Sequence, residues 1–294
     1  MEDKHAQPTS RRDFLRGATL GAAGIGLGAG LAPAAARAAE ASARKHLQVW
    51  SCGGLAEAMR PAHEAYMAQS DTDVSYTGAF AAVLGKSLLT GSGETEVFAG
   101  RGLPLAQNLR KAGKMLYFKP FCFTSYVIVT PKGNPANIKA LEDMARKGVR
   151  VAMSPKASPP GGQAVMGILK LADLTKDVMP NVLDKEATCI QRTVEEVCKG
   201  QADCMIVERR ITRMPLFGPH LDIVEIPEKF FPPLPLTFTM GVMHNVRDRQ
   251  LADAYVNWCT GEEGQAFMER GGFIPAISPK GQELVEKLGV KDVA

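Results

Sequence analysis

Short strand-like runs alternate with helix-like segments from residue 46 onward, and this alternation constrains the fold more than any other feature. HLQVW is typical of a buried strand, and LAEAMRPAHEAYMAQ follows with apolar residues at helical spacing. The same order recurs in VSYTGAF with AAVLGKSLLTG, and in EVFAG with LPLAQNLRKAG. Strands separated by helices of about ten residues indicate parallel βαβ units. The length favours two α/β lobes over one large sheet.

The first 38 residues differ from the rest. Arg11 and Arg12 precede a glycine- and alanine-rich apolar stretch, and Ala36-Arg37-Ala38 fits a small-x-small cleavage site. We interpret residues 1–38 as a twin-arginine signal peptide, which predicts a periplasmic protein. A membrane anchor is the alternative, but the stretch is glycine-rich and short of leucine, isoleucine and phenylalanine.

Charge excludes some classes of partner. Residues 1–38 hold five of the 35 Lys and Arg and three of the 31 Asp and Glu, so the remainder carries a net charge near +2. That balance supports neither nucleic-acid nor strong membrane-surface binding. No later window is apolar enough to span a bilayer.

Catalytic motifs are missing from the sequence. It contains no GxGxxG, GxxxxGK[ST], HExxH or GxSxG motif, and its five histidines are scattered. No nucleophile–base–orienter set is visible, so we expect neither an enzyme nor a cofactor.

All six cysteines follow the predicted signal peptide. In an oxidising compartment the default expectation is disulfides, and Cys198 and Cys204 bracket one turn and could bridge each other. Export of a folded protein by the twin-arginine route leaves free thiols open as the alternative. Cys259 lies in a helical pattern and is expected in the core.

Three glycine-rich junctions end a strand and begin a helix: Ser51–Gly54, Gly78–Ala82 and Ser158–Gly162. The first amides of a helix are unpaired, and the helix dipole is positive there, so such junctions favour anions. In open α/β sheets, ligands bind beyond the carboxyl ends of the strands. Ser51 and Cys52 are therefore candidate ligand-binding residues.

A series of segments in fixed order resembles the periplasmic molybdate-binding protein family, the solute-binding components of ABC importers for molybdate and tungstate. The segments are VWSCGGLAEAM, TGAFAAVLGKSLLTG, TEVFAG, SYVIVTPKGNPANIKALEDMARKGVRVAMSPKASPPGG, QADCMIVE and GEEGQAFMERGGFIPA. Each piece alone is weakly specific, whereas their order and spacing together are strong.

The resemblance implies a type II periplasmic binding protein, with two α/β lobes and a hinge between them. One lobe would comprise residues 46–124 plus 240–294, and the other residues 125–239, with SYVIVT and TFTMGVM as the crossover segments. It also implies a monomer that delivers its ligand to an ABC permease in the inner membrane.

The family holds a tetrahedral oxyanion with two serines, backbone amides and a tyrosine. By the resemblance, the two serine positions fall on Gly54 and Ala81, backbone positions fall on Gly161 and Ile190, and the tyrosine position falls on Glu208. Backbone donors do not depend on the side chain, so the anion-binding geometry could persist. Two hydroxyls and a phenol are nevertheless replaced, and a carboxylate has entered.

Glu208 leaves two alternatives. It could be turned away and paired with Arg209 or Arg210, or it could face the cleft and repel molybdate unless bridged by a cation. With Cys52 and Cys189, it could form a soft-metal site, since thiolates suit softer ions.

The leading hypothesis is a periplasmic solute-binding protein of a molybdate- or oxyanion-type ABC import system. The alternatives are a soft metal or metalloid binding or sensing protein that uses cleft cysteines, and an assembly factor for an exported enzyme. The expected ligand is molybdate or tungstate for the first, and a soft metal ion for the second.

Overall fold

A computed structural model describes residues 44–157, 159–233 and 235–292. The predicted signal peptide and Ser158 of the third junction lie outside the described residues. The strands are β1 Lys45–Cys52, β2 Thr72–Ala79, β3 Val97–Arg101, β4 Met115–Phe123, β5 Tyr126–Pro131, β6 Met205–Glu208, β7 Leu221–Glu225, β8 Thr237–Met243 and β9 Ile274–Pro275. The α-helices are α1 Ala56–Gln69, α2 Ala81–Thr90, α3 Leu103–Lys111, α4 Gly161–Leu171, α5 Thr175–Val178, α6 Ile190–Cys198, α7 Arg249–Thr260, α8 Glu262–Arg270 and α9 Pro279–Lys287.

Two sheets divide these elements into the two α/β lobes that the resemblance implies. The larger sheet has six strands in the order β2-β1-β3-β8-β4-β9, and the smaller has three in the order β6-β5-β7. Among the described helices, none is long and apolar enough to cross a membrane.

The strand pairing corrects the expectation of parallel βαβ units throughout. β1 pairs in parallel with β2 and β3, but β8 runs antiparallel to both β3 and β4, and β5 is antiparallel to both its neighbours. Sequence periodicity does not report strand direction, and β8 enters the larger sheet only after the chain has built the smaller one. The β-branched run VRVAMS contributes only isolated bridges at Val151.

The larger sheet packs against α1, α7 and α8. The cluster that joins them includes Leu47, Met59, Tyr255 and Met268, each at most 1% exposed. The C-terminal segment with GEEGQAF therefore shares a core with the first strand.

β5 is buried on both faces, which explains its run of β-branched residues. Tyr126 and Ile128 belong to a cluster with α4, whereas Val127 and Val129 belong to a cluster with α6.

The chain passes between the sheets twice, and the two passages touch. The first connects β4 to β5 through residues 124–125, and the second leads into β8; the amide of Thr124 donates to the carbonyl of Leu236 at 2.9 Å. SYVIVT and TFTMGVM thus form strands immediately after the passages. The division into residues 46–124 plus 240–294 and 125–239 stays a prediction, and we propose the hinge at these two passages.

Candidate functional site

A cavity of about 510 Å³ lies where the ends of the two sheets face each other. From the larger sheet and its helices it is lined by the ends of β1, β2 and β3 and by the start of α2. The smaller sheet contributes β6, the start of β5 and the starts of α4 and α6. Among the residues predicted as ligand contacts, six line it: Cys52, Gly54, Ala81, Gly161, Ile190 and Glu208.

Ser51 does not reach this cavity, which corrects its prediction as a ligand contact. Its side chain is fully buried, and its hydroxyl donates to the carbonyl of Cys52 at 2.9 Å and lies 2.6 Å from the hydroxyl of Tyr76. Because side chains alternate between the two faces of β1, Ser51 points away from the cavity, and its contact with Tyr76 links β1 to β2.

The first junction ends β1 at Cys52 and continues as a 3₁₀ turn, Gly53–Leu55, into α1. Gly54 lies against Arg210, because a Cβ added at Gly54 would be 3.5 Å from Nε of that arginine. A helix N-terminus and a guanidinium are both positive, and their approach here creates a place that favours an anion.

Three further helices begin at the cavity wall: α2 at Ala81, α4 at Gly161 and α6 at Ile190. None has a side-chain N-cap, since Phe80, Pro160 and Cys189 occupy the cap positions without capping hydrogen bonds. Helix amides without a side-chain acceptor suit an anionic ligand.

Glu208 lies in this cavity and is paired there with two arginines. Arg101, at the end of β3, forms an ion pair with its Oε1, and Nε of Arg210 donates to its Oε2 at 2.7 Å. The contact of Oε1 with Arg101 lacks hydrogen-bond geometry, so it is a close charge contact. Both alternatives for Glu208 are thus realised in part: it faces the cavity, and Arg210, not Arg209, is one of its partners.

Arg101 holds this arrangement from the larger sheet. Its Nε donates to the carbonyl of Pro235 at 2.9 Å, and its Nη2 donates to the hydroxyl of Tyr126 at 3.0 Å. The guanidinium also lies 5.2 Å from the ring centre of Phe238. An arginine whose side chain is only 6% exposed is held by these contacts rather than free to move.

The protonation states follow from these neighbours. Burial alone would raise the pKa of Glu208, but Arg101 and Arg210 lower it to about 2. Burial would lower the pKa of Arg101, and Glu208 beside it raises it instead. Burial raises the pKa of both the Tyr126 phenol and the Cys52 thiol, so both are neutral near pH 7. The cavity wall then carries two positively charged side chains and one negatively charged side chain.

Sequence reasoning missed Arg101, Tyr126 and Arg210 as cavity residues. One signal for Arg101 was present: an arginine ends the short apolar run VFAGR, and a buried arginine needs a partner. Nothing local in the sequence indicates that its partner is Glu208, more than 100 residues later.

No disulfide forms among the six cysteines, all of which are described, so the default expectation was wrong. Cys198 and Cys204 do not bridge, because they belong to different sides of the smaller sheet: Cys204 lies in the cluster with α4, and Cys198 packs on the cluster with α6. Cys259 is buried in the core of the larger sheet, as its helical pattern indicated.

The soft-metal site does not form either. Within the described ranges, no three His, Cys, Asp or Glu side chains come together to hold a metal ion. Cys52 and Glu208 both line the cavity, but Cys189 is exposed outside it at the N-cap of α6.

Comparison with solved structures supports the fold. The substrate-binding domain of a putative molybdenum ABC transporter from Clostridium difficile aligns with a TM-score of 0.68 and 18% identity, over 78% of this chain and 98% of that one. The periplasmic molybdate-binding protein of Azotobacter vinelandii aligns with a TM-score of 0.61 and 15% identity, over 78% and 98%. L-phospholactate-bound PEB3, a protein of Campylobacter jejuni, aligns with a TM-score of 0.57 and 18% identity, over 78% and 99%.

No curated protein matches the chain in sequence. A family model, however, matches residues 47–274, which include every residue that lines the cavity. By that match, the chain belongs to the bacterial extracellular solute-binding protein family.

Proposed function

We propose that this protein is the periplasmic solute-binding component of an ABC importer for an anionic solute. The proposal rests on the pair of arginines, Arg101 and Arg210, that line the cavity. Among the described residues that line it, only Glu208 carries a carboxylate. An excess of positive charge at the starts of several helices favours a negatively charged ligand.

The structural neighbours are consistent with this chemistry. Two of them are described as a molybdate-binding protein and as part of a molybdenum transporter, and a third holds L-phospholactate. Their identities to this chain do not exceed 18%, and another neighbour is described as a ferric binding protein, so the choice of an anion rests on the arginines of the cavity.

The proposed ligand contacts are the cavity positions of Cys52, Gly54, Ala81, Gly161 and Ile190, together with the two arginines. Glu208 is assigned to holding the arginines in place. Gly54 and Ala81 offer no hydroxyl where the molybdate-binding family has serine, and each lost hydrogen bond costs about 1 kcal/mol. Molybdate and tungstate are therefore expected to bind more weakly here than in a site with those serines.

The other proposed properties follow from the same role. The protein works as a monomer with a permease of the inner membrane, has no catalytic residues and needs no cofactor. It reaches the periplasm by the twin-arginine route. The sensing and assembly-factor alternatives lack support, because the metal site on which the first depends is not assembled and no described feature favours the second.

Calorimetric titration of the purified protein with a panel of anions tests the proposal. Arg101→Gln should reduce anion affinity at least tenfold, because it removes a buried cation from the cavity. Arg249→Gln is the control: Arg249 is an exposed arginine that pairs with Asp253 on α7, so affinity should not change. If no anion binds, or if both variants behave alike, the proposal fails.

Export is tested separately. Changing Arg11 and Arg12 to Lys should leave unprocessed precursor in the cytoplasm, because the twin-arginine pathway reads that pair. Mature protein in the periplasm of the variant strain would contradict the route.

A further inference from the structure

The cavity is too large for a tetrahedral oxyanion. One water molecule occupies about 30 Å³ of the liquid, so four oxygen atoms of that size occupy about 120 Å³. The cavity measures about 510 Å³, which lies in the range of about 300–1,000 Å³ typical of organic ligands.

An open cleft does not explain this volume, because charge contacts already join the two sides. Arg101 of β3 pairs with Glu208 of β6, and Arg210 approaches Glu57 of α1 at 3.5 Å. Arg210 also lies against Gly54 on the opposite side. The cavity therefore persists while the two sides are in contact.

Most of the cavity wall is apolar. The arginines, Glu208 and Tyr126 occupy one region, and the remaining wall is formed largely by aliphatic and proline side chains, among them Val165, Ile190, Met205, Val207 and Ile211. With a small inorganic anion bound, this apolar wall would stay exposed to water, whereas the apolar body of an organic ligand would bury it.

The charged side chains of the cavity favour a ligand with a single negative charge. Arg101 and Arg210 supply two positive charges, and Glu208 cancels one of them; Cys52 and Tyr126 are uncharged. Glu57, the carboxylate beside Arg210, is 43% exposed and is screened by solvent. One positive charge remains for the ligand, while molybdate, tungstate and sulfate each carry two negative charges near pH 7.

Each of the two arginines keeps a guanidinium nitrogen that can donate hydrogen bonds to a negatively charged ligand. No hydrogen bond or ion pair among the described residues uses Nη1 of Arg101 or Nη2 of Arg210. Guanidinium groups bind carboxylates with two parallel hydrogen bonds, and Gly54 at the start of the first turn lies against Arg210.

We propose that the ligand is an organic monocarboxylate with an apolar body, its carboxylate held by Arg101 and Arg210 and its body against the aliphatic wall. The inference rests on the proposed function, because it specifies the anion for the same site. Glu208 is then a specificity-determining residue: it orients both arginines and keeps the net charge at the value that suits one carboxylate.

A chain-length series tests the ligand class. Acetate, butanoate, hexanoate and 4-methylpentanoate are titrated by calorimetry at one ionic strength, beside molybdate and sulfate. Affinity should rise about three- to fourfold per added methylene, the factor expected for burying that group. Hexanoate should bind at least tenfold more tightly than molybdate. Tight molybdate or sulfate binding with weaker carboxylates overturns the inference and leaves the proposed function standing, whereas no binding by any anion overturns both.

Two variants test the wall and the charge. Ile190→Trp should narrow the apolar part of the cavity and reduce hexanoate affinity at least fivefold more than acetate affinity. Leu171→Trp is the control, at a residue 52% exposed at the end of α4. Glu208→Gln should raise sulfate affinity relative to hexanoate about tenfold, because it adds one unit of positive charge. Equal losses for acetate and hexanoate in the first variant, or an unchanged ratio in the second, contradict the inference.

Discussion

Arg101 at the end of β3 and Glu208 at the end of β6 form a buried ion pair that connects the larger sheet to the smaller one. The two side chains are 6% and 9% exposed, so solvent screens their attraction little. The positions lie more than 100 residues apart in sequence, and both residues line the cavity.

Removing Arg101 and Glu208 together should destabilise the protein by less than the sum of the two single removals. Arg101→Met leaves Glu208 buried with Arg210 alone, at a cost of about 3 kcal/mol in the free energy of unfolding. Glu208→Met leaves Arg101 buried without a carboxylate, at a similar cost. The double variant Arg101→Met with Glu208→Met removes both charges of the pair, so it should cost less than the sum of the two single variants. Urea unfolding of the four proteins measures the coupling. Strictly additive single effects would show that the pair does not act as a unit.

Gly162 should tolerate no side chain, because α4 begins too close to the preceding turn. A Cβ at this position would be 2.3 Å from the carbonyl oxygen of Pro155, a backbone atom that cannot rotate away. Gly162→Ala should cost about 1–3 kcal/mol of stability and, by shifting the start of α4, weaken anion binding.

The matched control is Gly53→Ala in the cavity's first turn. Its Cβ would meet the carbonyl oxygen of Ala79 at 3.5 Å, an ordinary contact, so thermal unfolding should change little. Equal melting temperatures for the two alanine variants would contradict the steric argument.

His63 should make the protein acid-sensitive. It is 3% exposed in α1, its Nε2 has no hydrogen-bond partner, and burial lowers its pKa to about 4. In the unfolded chain the imidazole of His63 has a pKa near 6.5, so it binds a proton at a higher pH than in the folded protein. The folded state therefore loses stability as the pH falls from about 6.5 to about 4. The loss should approach about 3 kcal/mol at pH 4.

Urea unfolding of wild type and His63→Phe at pH 7 and at pH 4.5 isolates this contribution. Phenylalanine does not titrate and remains among the rings of Tyr76 and Tyr255. The variant should lose clearly less stability between the two pH values than the wild type. The same loss in both proteins would assign acid sensitivity to other groups. Glu208, whose pKa is lowered from 4.5 to about 2, loses its contribution mainly below pH 4.5.

All six thiols should be titratable without reductant once the protein is unfolded, because none is in a disulfide. In the native protein Cys189 is exposed and should react fast with a thiol reagent such as DTNB, and Cys198, partly buried, should react more slowly. Burial raises the pKa of Cys204 and of Cys259 to about 12, so both should react only on unfolding. Cys189→Ser should remove the fast phase, and fewer than six thiols in the unfolded, unreduced protein would indicate a disulfide.

Local patterns were enough to predict much of the fold. The alternation of strands and helices depends on neighbouring residues, and so does the glycine turn at each helix start; Gly54, Ala81 and Gly161 therefore lie at the cavity as their junctions indicated. The two-lobed class followed from the resemblance in segment order, which the fold confirms.

Strand direction and strand order required the tertiary structure. β8 lies between β3 and β4 although it follows the whole smaller sheet in sequence, and no periodicity encodes that return. The tertiary structure was also needed to show that the cysteines are free, because the distance between two thiols depends on packing and not on the number of cysteines.

The sequence by itself determined where backbone amides could receive an anion, because a helix start is a local event. The tertiary structure alone decided which side chains join them. Ser51 was turned away by one step of strand alternation, and Arg101 was brought to Glu208 by the packing of two sheets. The charge of the cavity is a sum over groups distant in sequence, and only the folded chain brings those groups together.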